Sequence, residues 1–273
     1  MFPKPKWMFA VWALVLLTFV LPKAGVAQLV LYDNFNSKQI DPSKWIGWQF
    51  FDPDIREAVR QPAGEEEGRH LRLSQRAYSA TTDDFGGSGG LFGLAFPVPS
   101  AVTEASFTVV VSRAETVGCT VNPSQIVTAV EFRGNFFNME TAPTSQMGDV
   151  VAVISVARVP TDVGNALTVA GLYSRCDDQF CGTQTPLDYR VLGSVQPGAV
   201  STLHIKWDQP NHRFIFQLNN DPEVISPYTV HDATPAVFSF KAIDLARVVP
   251  HCTTTPRPFA SIDAFVDNVR VNP

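Results

Sequence analysis

The sequence predicts an all-β protein, an antiparallel two-sheet β-sandwich of jelly-roll type forming one domain. Three observations carry that expectation. Apolar residues recur with period two between turn signals, helical periodicity is almost absent, and ten or more short strand-like runs fill about 240 residues. A sandwich or jelly roll handles so many sheet edges without helices. Composition agrees: 45% of the 273 residues are hydrophobic, only 17% are charged, and Phe alone supplies 20. Such a chain is too apolar and too weakly charged for disorder.

The chain opens on a segment read as an address. Lys4 and Lys6 precede an apolar run from Trp7 to Leu21, closed by Pro22 and Lys23 and followed by the small residues Ala24, Gly25 and Ala27. This is the charged, apolar and small-residue order of a secretory signal peptide cut after Ala27. The competing reading, a retained anchor, meets a run of about 15 residues where about 20 are needed to span a bilayer. Residues 28–273 then form the folded domain, secreted, periplasmic or held at the cell surface. Twenty-one Lys and Arg stand against 26 Asp and Glu, and removing the three lysines of residues 1–27 leaves a net charge of −8. With no basic run, this excludes nucleic acid and anionic membrane surfaces as expected partners, and no further apolar segment predicts a membrane span after processing.

Within the domain, His70–Ser74 places Leu71 and Leu73 on one face. Glu104–Val111 alternates Phe107, Val109 and Val111 against Ser106, Thr108 and Val110. Ile126–Arg133 is a strand in which Glu131 and Arg133 share a face. Asp149–Val159 is a long β-branched run, and Ala166–Tyr173 and Tyr189–Leu192 are further strands. In 202–219, Leu203, Ile205 and Trp207 point one way, Asp208–His212 turns, and Phe214, Phe216 and Leu218 point back, a hairpin serving one core. Val237–Phe240 and Ala264–Val271 complete the set. The stretch Gly86–Gly90 is expected to be a mobile loop, because Phe85, Leu91, Phe92 and Phe96 flank it too closely for a domain boundary.

Cys119, Cys176, Cys181 and Cys252 make an even number in an exported chain, which predicts two disulfides. Of three pairings, Cys176–Cys181 closes a short loop and leaves Cys119–Cys252 as a long-range staple.

Five pieces in order resemble the concanavalin A-like lectin/glucanase superfamily, which includes laminin-G-like and laminarinase-like jelly rolls. They are Leu31–Asn36 with Ile40–Trp45, Gly68–Ser74, Thr103–Val109, the hairpin Thr202–Asn219, and the closing strand Ile262–Val271. The resemblance implies a curved sandwich whose first and last strands lie side by side, often with sugars bound across the concave face. It also suggests a structural calcium near the chain ends, for which Asp33, Asp263 and Asp267 offer hard oxygen ligands; turn capping or solvent exposure is the competing role. No other cofactor is expected.

The catalytic pattern of the laminarinase-like members, Glu-x-Asp-x-x-Glu on one strand, is missing. Alternate strand residues share a face, so that spacing would flank one glycosidic bond with two carboxyls about 5 Å apart. Glu65–Glu67 sits in a turn, Glu131 has Arg133 two residues on, and Asp177 and Asp178 lie in the disulfide loop. Gly-x-Ser-x-Gly and His-Glu-x-x-His are missing too. The expectation is a non-catalytic protein that binds carbohydrate or another extracellular surface. Glu131 and Arg133 are candidate ligand contacts, with a solvated ion pair as the plainer role, and Trp48 and Tyr173 are the candidate stacking rings. A glycan-active hydrolase or lyase with unfamiliar residues, and an assembly component of an envelope or extracellular layer, are the alternatives. The ligand and the oligomeric state stay open.

Overall fold

The structure is a computed structural model that describes residues 28–37, 40–51, 58–61, 70–79, 87–119, 126–253 and 255–273. The expected signal peptide, residues 1–27, and the Glu65–Glu67 cluster lie outside the described residues. In chain order the strands are β1 (Val30–Asp33), β2 (Ile46–Phe51), β3 (Ala58–Gln61), β4 (Leu71–Tyr78), β5 (Gly87–Ala95), β6 (Glu104–Val117), β7 (Val127–Asn138) and β8 (Asp149–Arg158). They continue with β9 (Leu167–Cys176), β10 (Gln184–Val195), β11 (Val200–Asp208), β12 (Arg213–Leu218), β13 (Val224–Pro227), β14 (Thr234–Pro235), β15 (Lys241–Pro250) and β16 (Phe259–Val271). Two short 3-10 turns, Pro99–Ala101 and Gln209–Asn211, are the helical content among the described residues. No helix among them is long and apolar enough to cross a membrane.

The strands form two antiparallel sheets. One runs β13-β12-β11-β6-β16-β4-β3, with β1 also paired to β16; the other runs β10-β9-β8-β7-β15-β5-β2, with β14 on β7. The first and last strands do lie side by side, Val30 opposite Val271. The sandwich follows from alternation. Leu71 and Leu73 of β4, Phe107 and Val109 of β6, and Ile262, Ala264 and Val266 of β16 turn inward from the first sheet. Phe92 and Leu94, Val130 and Phe132, Ile154, and Ile243 and Leu245 meet them from the second. Phenyl rings fill the middle, and Phe92, Phe107, Phe132, Phe137, Phe214 and Phe216 are all fully buried. Each such ring stabilises the fold by about 1.5–3 kcal/mol relative to exposure.

The hairpin forms as expected, with Leu203 opposite Leu218, Ile205 opposite Phe216 and Trp207 opposite Phe214. Both disulfides form, Cys119–Cys252 and Cys176–Cys181.

Two expectations are corrected. Gly87–Gly90 is not a loop but the first half of β5, paired with Arg247–Pro250 of β15. A Cβ at Gly90 would stand 2.5 Å from Nη2 of Arg247, so that side chain would have to shift to admit one. Val237–Phe240 is not a strand, because the amides of Val237 and Phe238 donate to the buried Asp149 carboxylate (2.9 and 3.1 Å), which bends the chain. The strand begins only after it, at Lys241, as β15.

Candidate functional site

The outer face of the second sheet gathers most of the chemistry. Ile243 and Leu245 enter the core, so Ala242, Asp244 and Ala246 turn outward; by the same parity β7 presents Ala129, Glu131 and Arg133, and β8 presents Val153, Ser155 and Ala157. Strand register aligns these residues across the sheet. Trp48 stands opposite Gly93, Gly93 opposite Asp244, Asp244 opposite Glu131, Glu131 opposite Ser155, Ser155 opposite Ala170, and Ala170 opposite Val191. Seven positions at about 4.8 Å per strand make a row roughly 29 Å long, crossing the strands. The adjacent row reads Ile46, Ala95, Ala242, Arg133, Val153, Leu172 and Tyr189. Gly, Ala and Ser fill five of these fourteen positions, and Ala95, Ala242, Val153, Ser155 and Ala170 are all buried, so the face opens at the part-exposed Arg133 and along β10, where Tyr189 and Val191 are exposed. Gly93 is required for close packing, since a Cβ there would meet the Ile243 carbonyl oxygen at 2.1 Å.

Three charged groups meet at the middle of the face. Nε of Arg133 donates to Oε1 of Glu131 at 2.7 Å, with side-chain exposures of 24% and 6%. This is not the solvated pair that the sequence alone suggests, because Glu131 is buried in the sheet. Asp244 is 0% exposed, and no donor reaches either of its oxygens. Burial first, and then the Glu131 charge facing it, push the Asp244 carboxyl well above the usual carboxylate range. A proton kept on Asp244 supplies the donor that this carboxyl pair otherwise lacks. Burial works against the Arg133 charge, but Glu131, facing it and accepting its hydrogen bond, helps hold the guanidinium above its ordinary pKa.

The margins are aromatic and held by side chain to backbone bonds. Tyr189 on β10 is 52% exposed. Phe238 and Phe240 stack with centroids 5.7 Å apart, and Phe240 packs on Ala95 and Ala242. Asp149 anchors this turn, also accepting from Asn138 Nδ2 at 2.8 Å. At the β9 end, Cys176 packs on Val151 and Val153. The disulfide loop that follows presents an exposed Phe180. Asp178 shapes it by accepting from the Thr183 hydroxyl and from the amides of Gly182 and Phe180, which hold its carboxyl far below the usual range.

Of the residues singled out by sequence, Glu131 and Arg133 meet in this site, and Trp48 shares its row by backbone register; the Trp48 side chain is outside the described part. Tyr173 is elsewhere. It is on the inward parity of β9, packs at a tilt against Phe214 with centroids 5.2 Å apart, and donates through its hydroxyl to the Pro227 carbonyl at 3.2 Å, so it serves the core. Asp33, Asp263 and Asp267 do not converge. Asp33 accepts from Trp45 Nε1 at 2.7 Å and Asp263 is bidentate to Arg72. Asp267 takes the Asn268 amide at 2.7 Å. No three His, Cys, Asp or Glu residues gather as a metal site among the described residues. Asp244 went unnoticed in the sequence, although its signal was there: an acid between two core aliphatics, Ile243 and Leu245.

The chain matches no protein-family model and no curated protein. Among solved structures it is similar to the CBM2 module of the evolved Dit of Lactobacillus casei BL23 phage J-1, at 11% identity and a TM-score of 0.35, covering 89% of this chain and 96% of that one. It is also similar to lectin UEA-II complexed with galactose, at 11% identity and a TM-score of 0.32, covering 84% and 97%. Lectin II from Ulex europaeus gives 11% identity and a TM-score of 0.29, covering 84% and 100%. Likenesses at this level say nothing about what this chain binds.

Proposed function

We propose that the protein is an exported, non-catalytic glycan-binding β-sandwich that lays a sugar chain across the strands of its second sheet. The observation that carries this reading is the row that sets the part-exposed guanidinium of Arg133 in line with Leu172 and the exposed ring of Tyr189, beside the buried Asp244, Glu131, Ser155 and Ala170. Sugars present C–H faces to aromatic rings and hydroxyls to carboxylates and guanidinium groups, so a surface with both suits them. Two disulfides support folding in an oxidising compartment. The resemblance of the five sequence pieces to lectin-like sandwiches points the same way.

The test is a glycan array followed by titration calorimetry on protein recovered from an exporting host. Binding to a polysaccharide family is expected, and Tyr189→Ala, at an exposed position, should weaken it about tenfold while leaving the melting temperature within about 1 °C. Silence across diverse polysaccharides would overturn the proposal.

A second reading rests on Asp244 and Glu131. A carboxyl that keeps its proton beside a second carboxyl is the pairing that glycoside cleavage uses. The full burial of Asp244 puts this reading second. Release of reducing ends, abolished by Glu131→Gln, would establish it.

A further inference from the structure

We infer that the outer face takes a carboxylate-bearing sugar chain, a uronan segment, whose carboxylate is gripped by the two terminal nitrogens of Arg133. This rests on the glycan-binding reading and names the ligand class. Exposure decides it. Of the three charged groups at the centre of the face, Arg133 is the one partly exposed, over 24% of its side chain, while Glu131 is nearly closed off and Asp244 fully so. The charge that a ligand meets first is therefore positive. Only Nε of Arg133 is engaged, by Glu131, and its terminal nitrogens donate to nothing among the described residues. Held by Nε, the guanidinium is oriented before any ligand arrives, and its free N–H groups match the two oxygens of a planar carboxylate. Its row neighbours Ala242 and Val153 are apolar, so neither competes for those donors.

The electrostatic balance fits the same ligand. With its proton on, Asp244 is neutral, Glu131 cancels Arg133, and the cluster carries no net charge. An acidic sugar then meets a donor fork without a repelling background, although the whole chain has a net charge of −5. Loss of the Asp244 proton would leave the cluster at −1 and drive the ligand off. Among the described residues the charged groups facing Asp244 are Glu131 and Arg133 of β7; β5 contributes no titratable residue, β8 contributes Ser155, and Lys241 and Arg247 of its own strand turn to the opposite face.

The experiment is calorimetric titration of hexagalacturonate and hexamannuronate beside neutral cellohexaose, laminarihexaose and mannohexaose. The uronates should bind at least about tenfold more tightly than the neutral chains at pH 5.5. Their affinity should fall as pH rises through the Asp244 titration, over which the sugar carboxylates stay ionised, and Asp244→Asn should flatten that fall. Arg133→Gln should erase the preference. Arg133→Lys, which keeps the charge but not the fork, should lose most of it, with circular dichroism confirming that both variants fold. A neutral chain binding as tightly as the uronates, or both variants weakening all ligands equally, overturns this inference and leaves the glycan-binding reading standing. Folded protein that binds none of the five, nor any polysaccharide on the array, overturns both.

Discussion

At the scale of single residues, Asp244 has the most to answer for. Its carboxyl is buried without a donor and faces Glu131, so its folded pKa lies above the value it has in the unfolded chain. Folding then takes up a proton. The associated stability is complete at pH values below the unfolded carboxylate pKa and drains away as pH rises through the folded value. Denaturant titrations between pH 4 and pH 8 should therefore show wild-type stability declining relative to Asp244→Asn, whose amide cannot ionise. Parallel curves for the two proteins would remove the buried proton from the account. Sequence could see that Glu131 and Arg133 share a face. It could not see that Asp244, on a strand far along the chain, completes them, because cross-strand register is set by tertiary pairing.

At the scale of elements, the β11–β12 hairpin is the part that sequence read best. Its two apolar stripes are separated by a polar turn, and each stripe obeys strict alternation. Phe214 lies at the centre of what it builds, with Phe136, Phe137, Tyr173 and Tyr228 all within 6.4 Å between ring centroids. Phe214→Ala should lower the unfolding free energy by about 3–5 kcal/mol, measurable by urea denaturation. The neighbouring β15 was missed for an instructive reason. Lys241 and Arg247 occupy inward positions, so the strand does not look half-apolar. Lys241 is accommodated by donating to the carbonyls of Pro99 and Asn135 over the face of Phe136. Conversely, Val237–Phe240 alternates correctly yet is no strand, because Asp149 takes the amides that a ladder would need.

For the whole molecule, the fold class followed from period-two alternation because nearly every strand has one face in a shared core. The candidate site is a row assembled from strands distant in sequence, and that is why only part of it could be read. The Cys119–Cys252 bond closes 133 residues of chain and ties the segment after β6 to that after β15. On loop-closure entropy, removing it should cost about 5 kcal/mol, against about 2 kcal/mol for Cys176–Cys181. Paired Cys→Ser variants compared by chemical denaturation would check that order, and equal losses would contradict it.

The end strand β10 carries Leu187, Tyr189 and Val191 in the open, a combination that invites neighbouring molecules to zip on and grow into fibrils. Pro186 withholds a donor, and the strand bulges between Pro186 and Asp188 and again between Val191 and Gly193. A straight incoming strand finds no continuous ladder to follow. Those three apolar side chains thus stay exposed without turning the margin of this sheet into a seed for aggregation.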